Sequence, residues 1–101
     1  MSPAKVIRDH VVALTDLPNV GTSLAADLQL IGIKTPGELK GRDPYAMYDT
    51  LYQLTRQRHD PCVLDVFISV TRFMNGEPPA AWWKFTEERK KALLQPPDAP
   101  R

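Results

Sequence analysis

Apolar residues recur along this chain three and four positions apart, as on a helix, and no run alternates as a strand would. Val6, Ile7, Val11 and Leu14 make one face of a helix predicted from about Ala4 to Asp16, with His10 in that face and Arg8 on the other side. Leu24, Leu28 and Ile31 mark a second, from about Thr22 to Ile31, stopped by Gly32. Thr35, Pro36 and Glu38 combine an N-cap, a first-position proline and a first-turn acid, so a short third helix is expected there. Asp43-Pro44 and Asp60-Pro61 repeat the cap-plus-proline start. The helix opened by Asp43 runs to about Arg56 and carries Tyr45, Met47, Tyr48, Leu51, Tyr52 and Leu54 on half of its wheel. The helix opened by Asp60 reads Cys62 to Met74, apolar nearly all round, and Asn75-Gly76 stops it. It is the expected buried centre. Its polar positions Asp65, Ser69 and Arg72 form one stripe, either a solvated edge or the wall of a groove. Trp82, Trp83 and Phe85 are expected to plug the open end of the core, and a last helix, Thr86 to Leu94, to turn mixed charges to water.

The expected fold class is therefore all-α, a small single-domain bundle of five or six short helices. A length of 101 residues favours one domain, placed at residues 1–95, with a disordered tail at 96–101. Hydrophobic residues are 43% and charged residues 25% of the chain, a globular balance and not a disordered one. The formal net charge of +1 does not advertise nucleic-acid binding, so any grip on phosphate must come from backbone amides and a few local cations. Cys62 is the single cysteine, which excludes an internal disulfide and favours a reducing compartment. The first ten residues carry charges throughout, and no apolar run reaches membrane-spanning length. A cytoplasmic location is expected.

Between the first two helices lies Leu17-Pro18-Asn19-Val20-Gly21. Pro18 cannot continue a helix, and Asn19 and Gly21 are residue types that tolerate positive φ. A tight hairpin is expected, with the N–H groups of Asn19, Val20 and Gly21 and those opening the next helix pointing one way, as a main-chain anion site. The run from Leu17 to Ala25 resembles the hairpin of helix-hairpin-helix domains, in which loop amides grip a DNA phosphate without reading sequence. The resemblance implies that Val20 packs inward and that Ala25 lets two helices approach closely. Asn19 stands where many members have glycine, Thr22 and Ser23 stand where DNA-binding members often carry lysine, and the motif is present once. The spacing from Leu28 through Gly32, Ile33, Thr35 and Glu38 to Leu39 extends the likeness. More widely, Leu17–Gly21, Arg58–Phe67, Phe73-Met74-x-Gly76 and Trp82–Lys90 resemble a small bacterial family, the helix-hairpin-helix "pathogenicity locus" family, whose members are often labelled mitomycin-resistance proteins. That likeness implies the fold and assigns no biochemical role.

Other chemistry is sparse. His59, Asp60, Cys62 and Asp65 invite a metal site, but Asp60 is better used as a cap and no second His/Cys pair exists. No metal and no cofactor are expected. Cys62 is a candidate reactive thiol, since a helix N-terminus and the neighbouring Arg58 and His59 lower a thiol pKa, although a lone cysteine opening an apolar helix also serves as a small core residue. The three tyrosines after Pro44 invite base stacking, or bury their rings and keep their hydroxyls at the rim. Asp43 would fill its own helix N-terminus, so that turn is not counted as a second phosphate site. No nucleotide loop, Ser/His/Asp set or carboxylate pair is evident, so a non-enzymatic role is expected. The first reading is sequence-independent DNA binding by Asn19, Val20, Gly21, Thr22 and Ser23, with Lys34 or Arg8 as flanking cations. The second is a protein-interaction module on the same scaffold without DNA contact. The third is a thiol-dependent activity at Cys62.

Overall fold

The cap-plus-proline starts form as local chemistry dictates. The Asp43 carboxylate accepts the Tyr45 N–H at 2.9 Å ahead of a helix over Pro44–Thr55, and Asp60 accepts the Cys62 N–H at 3.0 Å ahead of one over Pro61–Met74. A computed structural model describes residues 6–57 and 59–93, apart from the side chains of Arg8 and Leu93. Among these residues the fold is all-helical, with four α-helices: α1 (Thr22–Leu30), α2 (Pro44–Thr55), α3 (Pro61–Met74) and α4 (Thr86–Leu93). Short 3-10 turns join them at Arg8–His10, Leu14–Asp16, Pro36–Leu39 and Trp82–Phe85. The count is thus four helices plus turns, where five or six helices were expected. The expected tail at 96–101 lies outside the described residues. No helix among the described residues is long and apolar enough to cross a membrane.

α3 is the centre. Val63 through Thr71 and Phe73 are all buried, with α2, α4 and two of the 3-10 turns packed against them. Phe67, Leu28, Ile33, Leu39 and Leu51 are fully enclosed around it. α1 ends as expected: Gly32 takes φ +91°, its N–H bonds the Gln29 carbonyl at 3.0 Å, and the Ile33 N–H bonds that of Leu28 at 2.9 Å. Leu28 and Ile33 then meet in the core, which is the apolar contact that accompanies such a stop. At the next start, Glu38 accepts the Lys34 and Thr35 N–H groups at 2.7 and 2.6 Å.

Several expectations are corrected. Among the described residues the first helix, expected over Ala4 to Asp16, is not continuous: only the turns Arg8–His10 and Leu14–Asp16 form there, and Ala4 and Lys5 lie outside the described residues. Its paired β-branched residues, Val6-Ile7 and Val11-Val12, are poor helix formers. The Asp16 carboxylate also takes the Val12 and Ala13 N–H groups at 3.1 and 2.8 Å, giving the backbone a partner other than a helix. Val12 is left 81% exposed, and His10 is exposed as well. On α2 only Met47 and Leu51 are buried; Tyr52 and Leu54 face outward, because α2 meets the core along a narrower stripe than its apolar wheel suggests. The polar stripe of α3 is not a solvated edge along its length, and only its Arg72 end lines an open cleft, with Tyr45, Asn75 and Glu88. Asp65 and Ser69 are buried, and all three of its residues bind what covers them.

Candidate functional site

The hairpin is built from buried anchors and an exposed rim. Leu17, Pro18 and Val20 are buried, whereas Gly21, Thr22 and Ser23 are exposed. Asn19 supplies the reversal at φ +67°. Its side-chain amide donates to the Ser69 hydroxyl at 3.0 Å and to the Ala80 carbonyl at 2.9 Å, and Ser69 donates to the same carbonyl at 3.0 Å. The closed triangle pins the hairpin to α3 and to the strand of chain before Trp82. The local sequence carried no signal for this tether, because its three members are far apart in the chain.

Gly21 is the N-cap of α1, and its backbone is extended at φ −95° and ψ −171°. The positive φ expected there is not needed, and a Cβ at Gly21 would meet nothing within 4 Å. The first helical bond runs from the Ala25 N–H to the Gly21 carbonyl at 3.0 Å. The N–H groups of Thr22, Ser23 and Leu24 therefore have no carbonyl inside the helix to donate to. The expected amide set is otherwise reduced, because the Val20 N–H turns inward to the Leu17 carbonyl at 3.3 Å. Beside the hairpin lies an open cleft of about 300 Å³, with Val6, Asp16, Pro18, Asn19 and Gly21 in its wall. Among the described residues its one charged wall residue is Asp16, whose bond from the Ala13 N–H, with that from Val12, holds the carboxyl below its usual range.

Asn19, Gly21, Thr22 and Ser23 are thus brought together. Lys34 is not: it follows Ile33 at the opposite end of α1, on the order of 10 Å along the helix axis from the hairpin. The side chain of Arg8 lies outside the described residues, as does Arg58. Cys62 is half-buried, and burial first, then the Asp60 carboxylate, pushes its thiol up and not down as expected. Among the described residues no group of three His, Cys, Asp or Glu side chains is arranged to hold a metal ion.

The α3 stripe is a clasp for the C-terminal elements. Arg89 reaches Asp65 with Nε at 2.9 Å and a terminal nitrogen at 3.3 Å, and the Thr86 hydroxyl donates to the same carboxylate at 2.8 Å. Arg72 pairs with Glu88 and lies over the Phe85 ring.

The family model Cdd1, pathogenicity locus, matches residues 7–91 of this sequence. The chain belongs to the pathogenicity locus family. It is also 41% identical over 80 residues to the Mitomycin resistance protein McrB of Streptomyces lavendulae, an overlap of 79% of this chain and 76% of that protein. No solved structure matches. The part of this pathogenicity locus protein that matches its family runs from before the hairpin to beyond Arg89, so hairpin, tether and clasp all fall within it.

Proposed function

We propose that this protein binds DNA without enzymatic chemistry and without reading sequence, by holding a backbone phosphate at the hairpin, in the cytoplasm. In this reading Leu14–Leu30 is a helix-hairpin-helix motif whose leading helix is reduced to the turn Leu14–Asp16. One observation carries it. α2 and α3 have their N-termini filled by Asp43 and Asp60, and α4 has Glu87 and Glu88 in its first turn. α1 alone among the four has neither a side-chain cap nor a first-turn acid, and its end is exposed at Gly21, Thr22 and Ser23. Its amides and dipole suit an external anion. The name of the Streptomyces relative speaks of mitomycin resistance and of no bound molecule, so the hairpin bears the weight.

Duplex binding by fluorescence anisotropy at low salt is the test. Few phosphates are engaged, so a weak dissociation constant on the order of 10⁻⁴–10⁻⁶ M is expected, equal for unrelated sequences. Two or three phosphate contacts give a log–log salt slope of about −2 to −3. Ser23→Asp places a carboxylate in the first turn of α1, which favours the helix but repels phosphate, and should weaken binding about tenfold or more without lowering Tm. Absence of duplex binding, or an unchanged affinity in that variant, defeats the reading. A protein-interaction role is the second reading, favoured by a cleft whose charged wall residue, among the described residues, is acidic and by the outward Tyr52 and Leu54 on α2.

A further inference from the structure

α4 is held on the molecule differently from the other helices. α1, α2 and α3 each send side chains into the core, Leu28, Leu51 and Phe67 among them. Of residues 86–92 none is buried. What docks α4 is polar. The Thr86 hydroxyl donates to the Asp65 carboxylate at 2.8 Å, and Arg89 donates to it through Nε at 2.9 Å and a terminal nitrogen at 3.3 Å. Glu88 accepts from the Arg72 guanidinium.

Such a dock releases more readily than an apolar one. The Asp65 side chain has no exposed surface and that of Arg89 only 13%, so docking strips water from both charges, and their attraction is set against that cost. When α4 lifts, water returns to carboxylate and guanidinium alike. An apolar face lifted into water gains nothing comparable. The chain ahead of α4 is better anchored. Ala81 is buried, Trp82 packs on the core, and the Lys84 N–H bonds the Ala81 carbonyl at 3.1 Å. Trp83 and Lys84 are exposed on that turn, so the anchorage ends there. The eight residues of α4 are too few for a helix to persist in water without a surface to lie on, so the helix forms only when docked.

We propose that α4 is a strap: it undocks and unwinds as one unit about the Trp82–Phe85 turn, while α2 and α3 stay folded, and so uncovers Asp65 and Arg72. Closed, the strap gives each of these side chains its counter-charge. Open, it leaves on α3 a free carboxylate and a free guanidinium, two turns and about 10 Å apart along one face of the helix. The proposal stands apart from the phosphate reading.

Amide hydrogen exchange of the full chain, followed by NMR with and without low urea, tests it. The amides of Lys90–Leu93, bonded within α4, should exchange at one common protection, at least about 100-fold below that of Val66–Val70 in α3. Low urea should leave them unchanged while speeding α3, because lifting one helix bares little surface. Arg89→Met strands Asp65 unless α4 lifts and lets water reach it, so in that variant the α4 amides should lose their protection while those of Val66–Val70 keep theirs. Lys91→Gln, on the exposed side, should behave as the wild type. Equal protection and equal urea response in α4 and α3 of the wild type would mean that α4 opens only when the whole domain unfolds, and the strap is overturned. Protection graded residue by residue towards Leu93 would be end fraying and overturns it also. So would loss of protection in α3 together with α4 in Arg89→Met.

Discussion

Cys62 sits in the first turn of α3, where two influences oppose each other. A helix N-terminus favours the thiolate. Burial disfavours it, and so does the Asp60 carboxylate that caps the same turn; together they push the thiol above its ordinary range. Reaction with a disulfide reagent at neutral pH should therefore be slow in the native protein and accelerate as pH rises. Asp60→Asn should speed it, and a native rate near that of the unfolded chain would show the environment misjudged. The capping carboxylates shift the other way. The Thr35 N–H holds Glu38 below its ordinary range, and backbone N–H bonds do the same for Asp16 and Asp60. A carboxylate with a lowered folded-state pKa lends stability that is present above the unfolded value and is lost as pH falls through the folded one. The melting temperature should be flat from about pH 7 to 5 and drop below about pH 4. Glu38→Gln should make that acid dependence shallower, and an unchanged profile would count against the cap.

At the scale of elements, α4 turns Glu87, Lys90 and Lys91 to water as its mixed charges suggested, while Thr86, Glu88 and Arg89 dock it on α3. Asp65 is fully buried, and Arg89 is its ion-pair partner, with the Thr86 hydroxyl as a second donor. Removing one member of a buried pair strands the other charge, so Arg89→Met should cost about 3–5 kcal/mol. Changing both, with Asp65→Asn added, removes the stranded charge and should recover part of that loss. Urea unfolding of the two variants and the wild type measures the difference. A double variant less stable than Arg89→Met alone would mean that Asp65 serves the fold chiefly through Thr86. The same docking presents Ala80 to Asn19, so the hairpin depends on an element far away in sequence.

For the molecule as a whole, α3 is the scaffold on which α2, α4 and the turns Pro36–Leu39 and Trp82–Phe85 pack, and α1 joins it through α2. Phe67 lies midway along it with no exposed surface. Phe67→Ala should cost about 3–5 kcal/mol, a large part of a total of about 5–15 kcal/mol for a domain of this size. Thermal melting followed by far-ultraviolet circular dichroism tests this. The native spectrum should be helical, and a near-unchanged midpoint in the variant would mean that the core is centred elsewhere.

Sequence by itself determined whatever closes within a few residues. Glu38 lies three positions from the N–H of Thr35, and Asp43 and Asp60 lie two positions from theirs, so those starts were legible without any neighbour. The all-round apolarity of Val63–Phe73 likewise announced a buried helix, since no orientation could keep it wet. Tertiary structure decided the rest. The first predicted helix gave way to 3-10 turns, with Leu14 and Leu17 buried but Ile7 and Val12 left outside. Asn19 meets Ser69 and Ala80 across 50 and 61 positions, and Asp65 meets Arg89 across 24. A polar side chain carries no mark of which distant partner will satisfy it; only the packing of α4 and of the segment before Trp82 onto α3 made the stripe a clasp, tethered the hairpin, and left Trp83 outside.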